Sequence, residues 1–78
     1  MTYDKAKKII EALKSTTVLT KNMITSIGNG GKWVDIQYKR IDIIETMALI
    51  EFCKTHSLFF TIVPMSINQL EITLFSKD

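Results

Sequence analysis

A chain of 78 residues has room for a single folded unit, because domains run from about 50 to 250 residues, so residues 1–78 are read as one small domain. The 46% hydrophobic content and single proline exclude a disordered chain. The net charge of +2 permits nucleic acid as a partner without implying it, since dedicated binders carry a larger basic excess.

Tyr3, Ala6, Ile9, Ile10 and Leu13 recur at spacings of three and four, which gathers them into one stripe of a helix. The spacing predicts an amphipathic helix over 3–14, with Thr2 as its N-cap and Asp4 at the positive end of its dipole. Ser15, Thr16 and Thr17 compete with helical backbone and end it. From Val18 to Tyr38 the content turns β-branched and aromatic around Gly28-Asn29-Gly30-Gly31, where an Asn-Gly pair suits a tight hairpin turn. The second strand alternates Val34, Ile36 and Tyr38 against Trp33, Asp35 and Gln37. The first is placed near Met23 to Ile27, with Val18 and Leu19 in a connecting turn or an earlier strand.

Asp42 followed by Glu45 has the spacing of a capping box and opens a second helix over 43–56. Ile43, Met47 and Ile50 make one stripe, but Ala48, Leu49, Phe52 and Cys53 fall at other angles, so this helix is expected to be buried on most sides. Leu58 to Val63 and Leu70 to Phe75 read as two strands joined through Pro64 to Gln69. The first carries apolar residues in both alternating sets and is expected to be covered on two faces. In the second, Leu70, Ile72 and Leu74 oppose Glu71, Thr73 and Phe75, which suits a half-exposed edge strand.

These elements imply an α+β fold of order α-β-β-α-β-β. Its plan is a two-layer one, a mainly antiparallel four-stranded sheet with both helices on one face. A domain this small buries only about 60% of its unfolded surface, so a disulfide, a metal or another subunit would help it. Cys53 is the only cysteine, and with His56 it supplies too few ligands for structural zinc, so no metal and no cofactor is expected. Another subunit remains. Trp33, Phe59, Val63 and Phe75 would face away from the helices, and an apolar patch of that kind argues for a homo-oligomer, a dimer in the first place. Phe59, Val63 and Phe75 are the residues expected to carry this self-association.

Gly28-Asn29-Gly30-Gly31-Lys32 invites comparison with phosphate-cradling loops, but it leads into a strand where such a loop opens a helix. A plain hairpin turn is the simpler reading. Cys53 and His56 lie three residues apart on one helix, as a nucleophile and its base could. Nothing orients the pair, and a core cysteine beside a helix-end histidine explains it. Lys5, Lys8, Lys32, Lys39 and Arg40 could contact phosphates while Trp33 stacks on a base. Asp4, Glu11 and Asp35 interrupt that charge.

No segment carries a motif specific enough to assign a family. No apolar run nears the ~18 residues that cross a bilayer, and the Lys-rich start lacks the apolar stretch of a signal peptide. A cytoplasmic protein without membrane contact is therefore expected, and a lone thiol fits that compartment. The function expected is a non-catalytic oligomeric interaction module with a protein partner. A regulator or inhibitor encoded by a phage or mobile element would suit the size and the Ile- and Lys-rich content. Its contacts would run through Lys5, Lys8, Lys32, Trp33, Lys39 and Arg40. The alternatives are a nucleic-acid binder using the same basic residues and a small-nucleotide binder with an intersubunit pocket.

Overall fold

A computed structural model of the chain describes residues 1–16 and 23–76. The described elements are α1 (Tyr3–Lys14), β1 (Ile24–Gly28), β2 (Trp33–Tyr38), α2 (Ile43–Thr55), β3 (Phe59–Ser66) and β4 (Gln69–Phe75). Val18 and Leu19, expected in a turn or an earlier strand, lie outside the described residues.

Helix α1 starts where the Thr2 hydroxyl accepts the backbone N–H of Lys5 at 3.2 Å. It stops where the hydroxyls of Ser15 and Thr16 donate to the Ala12 carbonyl at 2.8 and 3.0 Å. Those bonds take up backbone groups that a helix end leaves without partners. The apolar stripe buries Ala6, Ile9 and Leu13. Strands β1 and β2 then pair antiparallel, from Ile24 opposite Gln37 to Gly28 opposite Trp33.

The hairpin closes through a wider loop than the tight turn expected, a 3-10 turn over Asn29–Gly31. Positive φ angles at Asn29 (49°), Gly30 (69°) and Gly31 (108°) account for the residue types there. Gly31 is needed for a second reason. It is buried against the backbone of Tyr3, where a Cβ would collide. The loop thereby fastens the hairpin tip to the first turn of α1.

The four strands form one antiparallel sheet in the order β1-β2-β4-β3. Val34, Ile36 and Tyr38 from β2 and Ile72 and Leu74 from β4 are buried together with Ala6, Ile9 and Leu13 of α1. Leu49, Phe52 and Cys53 of α2 and Leu58 complete that core. Both helices therefore cover one face of the sheet. Each fully buried aliphatic side chain contributes about 1.5–3 kcal/mol.

The last two strands exchange the roles expected of them. β4 lies inside the sheet between β2 and β3, and β3 is the edge. The half-polar pattern of β4 arises because its outward face, with Glu71 and Thr73, meets no second layer among the described residues. β3 is exposed along most of its length on both faces, so its apolar character does not reflect cover. Pro64, expected in the connecting loop, belongs to β3 and sits at a register irregularity between Pro64 and Ser66. An edge strand tolerates a residue that has no N–H to donate. The connection shortens to Ile67-Asn68.

Candidate interaction surfaces

Helix α2 begins with a complete capping box. The Asp42 carboxylate accepts the Glu45 N–H at 2.7 Å, and the Glu45 carboxylate accepts the Asp42 N–H at 3.4 Å. The helix that follows is not buried on most sides. Leu49, Phe52 and Cys53 enter the core, while Ile43, Ile44, Met47 and Ile50 are 75, 65, 64 and 38% exposed. At about 100° per residue the two sets point in opposite directions. The stripe of Ile43, Met47 and Ile50 is thus the outer face, and the core is held by the residues at other angles. Periodicity could not rank the two faces, because both are apolar. The mixture itself was the available signal.

The sheet face away from the helices is ordered in rows set by the strand register. One row runs Gly28, Trp33, Phe75, Phe59. The Trp33 indole lies over Gly28, filling the space a side chain would need there. The rings of Phe59 and Phe75 stand 5.9 Å apart. The next row is polar: Ser26, Asp35, Thr73, Thr61. Asp35 is its centre, accepting Trp33 Nε1–H on one oxygen and the Thr73 hydroxyl on the other, each at 3.0 Å. Val63 lies a row further on, opposite Glu71. Trp33, Phe59, Val63 and Phe75 thus share the face, but a hydrogen-bonded band parts Val63 from the three aromatics. Beyond the band, Gln69 Nε2–H donates to Gln37 Oε1 at 3.2 Å.

The basic residues lie on separate elements, although the contact of Gly31 with the Tyr3 backbone sets the neighbouring Lys32 near the first turn of α1. Lys5 and Lys8 belong to α1, in the helix layer, whereas Trp33 opens on the other face of the sheet. Lys32 precedes β2 and Lys39 and Arg40 follow it, so the strand puts about 20 Å between them. Strand residues on the open face include the acids Asp35 and Glu71 and no lysine or arginine. Phosphate would meet no favourable field there.

Cys53 is buried, and burial pushes its thiol up to about 11. The thiolate that nucleophilic chemistry needs is therefore scarce near neutral pH. His56 packs its ring against Phe52 with centroids 4.3 Å apart. Tyr38, at the other end of the core, is raised to about 12, first by burial and then by the negative charge of Glu45. A depression of about 480 Å³ beside it is lined by Met23, Gln37, Lys39 and Gln69, among others. Among the described residues, no group of three or more His, Cys, Asp or Glu side chains could hold a metal ion. No described helix is long and apolar enough to cross a membrane.

No family model, curated protein or solved structure matches this chain. Its surfaces must be read from their own chemistry. The most conspicuous are the outer side of α2 and the exposed edge strand β3.

Proposed function

We propose that the chain is a non-catalytic interaction module: a small oligomeric protein that binds another protein, in the manner of a regulator or inhibitor. The observation that carries this reading is the outer face of α2. Ile43, Ile44, Met47 and Ile50 are presented to solvent on a well-capped helix, pointing away from the core. Isolated exposed apolar residues are ordinary, but a continuous stripe of them on a rigid helix is the usual form of a helix-in-groove anchor. This moves the expected partner contact from the basic residues to α2.

The test is affinity capture from the native cytoplasm with the wild-type chain and with Met47→Glu. Partner capture that is lost with Met47→Glu, while the variant melts within a few degrees of wild type, supports the reading. Capture indifferent to the substitution, or no specific capture at all, overturns it. The nucleic-acid alternative has less support, since Lys5, Lys8, Lys32, Lys39, Arg40 and Trp33 are divided between the helix layer, the open sheet face and the two ends of β2. Retention on DNA or RNA that falls steeply with salt would put it first.

A further inference from the structure

We propose that the outer edge of β3 pairs with the same edge of a second copy of this chain. The pairing is antiparallel about a two-fold axis at Thr61, and it joins two four-stranded sheets into one continuous sheet. The proposal rests on the self-association reading above and names its surface.

Strand β3 is hydrogen-bonded to β4 on one side, and among the described residues no strand takes the other side. Edges that remain single in solution are protected by charge, shortness, proline or a bulge. β3 spans eight residues, and from Leu58 to Ile67 no residue is charged. Its proline and its irregularity fall together at Pro64 to Ser66. Phe60 to Val63 is left as a stretch that carries no charge, proline or irregularity of its own.

The direction of the free peptide groups follows from Pro64. Lacking an N–H, it is accommodated where its nitrogen faces away from β4. Residues of an antiparallel strand turn their N–H and C=O alternately to either side, so Ile62 and Phe60 also face the open edge. Centring the pair on Thr61 lets Phe60 exchange both hydrogen bonds with Ile62 of the second copy, and Ile62 with Phe60 of that copy. Thr61 then meets its own copy as a non-hydrogen-bonded pair.

Side chains match in the same register. On the open face Phe59 comes opposite Val63 of the second copy, and the polar row through Asp35, Thr73 and Thr61 continues across the axis. On the helix face Phe60 comes opposite Ile62. No charge is buried, and each apolar side chain finds an apolar one, on both faces at once. A second copy supplies this two-sided neutral pattern by construction, which singles it out as the occupant.

The area fits a weak contact. Phe59, Ile62 and Val63 are 43, 39 and 50% exposed, and with side chains of roughly 150–200 Å² each they offer up to about 250 Å² of apolar surface per copy. Interfaces are about 60% apolar, so the pair would bury about 800 Å² in total, the size of a weak, concentration-dependent association.

The experiment is sedimentation equilibrium on the wild type, Ile62→Lys and Thr61→Cys, each checked for folding by circular dichroism. Wild type should be dimeric on the order of 100 µM, and Ile62→Lys should weaken the dimer at least about tenfold while still folding. Thr61→Cys should give a covalent dimer with oxidised glutathione. There two thiols lose two protons and two electrons to the glutathione disulfide, which departs as two thiols. The wild type, carrying only buried Cys53, should not cross-link. A dimer that survives Ile62→Lys and resists cross-linking at Thr61 overturns the β3 seam while leaving self-association intact. A wild type that stays monomeric overturns the seam and self-association together, but not partner capture through α2, which is measured separately.

Discussion

Leu49→Ala and Met47→Ala, made separately on the same helix, give the sharpest test of which side of α2 carries the fold. Leu49 is fully buried in the core, and removing a buried leucine side chain costs about 3 kcal/mol, from lost transfer energy plus the cavity left behind. Met47 is 64% exposed, so only about 60 Å² of it is sheltered, worth about 1.5 kcal/mol at ~25 cal/mol per Å². Part of that is retained by the alanine Cβ, and alanine is the better helix former. The net cost at Met47 should therefore stay below about 1 kcal/mol. In a domain of this size each kcal/mol moves the melting temperature by about 6 °C, so the two variants should differ by more than about 10 °C. Thermal and urea unfolding of dilute protein, followed by far-ultraviolet circular dichroism, measures it. Equal losses at both positions would refute the assignment of faces on α2.

Asp42→Ala should cost about 1–2 kcal/mol in a urea titration, because it deletes the capping box that holds both Asp42 and Glu45 N–H groups. Gly31→Ala should destabilise more than Gly30→Ala in parallel melts: both have positive φ, but only at Gly31 does a Cβ meet the Tyr3 backbone, with open space at Gly30. Alkali should destabilise the fold in a defined direction. The thiol of Cys53 rises from 9.0 to about 11 and the phenol of Tyr38 from 10.0 to about 12. The folded state thus holds protons that the unfolded chain releases. That stabilisation is complete below about pH 9 and is lost as pH climbs through the two raised values. Melting temperature recorded from pH 8 upward should fall accordingly, and a flat profile would contradict the burial of both groups. At pH 8, Cys53 should react with a disulfide reagent only slowly until urea is added.

The local features were legible because each is decided by residues close in sequence. Thr2 and the Asp42–Glu45 pair announced helix starts, and both caps form. The alternation in β2 is clean because one of its faces meets the core and the other meets no layer among the described residues. The α-β-β-α-β-β order followed from these elements. The hairpin loop was less legible, since Gly31 is required by the backbone of Tyr3, a contact that sequence spacing cannot reveal.

The two larger departures, in α2 and in the exchange of β3 with β4, have one cause. A hydrophobic pattern records which side chains lose free energy in water, not which of them the fold shelters. In a two-layer domain the shelter is a single slab between the sheet and the helices, and β2 and β4 occupy its middle. Apolar residues beyond its capacity must then appear on the outer side of a helix or along a sheet edge, where Ile43, Met47, Ile62 and Val63 are found. Reading apolar content as burial fails at those positions in particular. A monomer selected only to fold would gain solubility from polar residues there at little cost in stability. Isoleucine, methionine and valine at these positions fit the proposal that binding, rather than folding, provides their shelter.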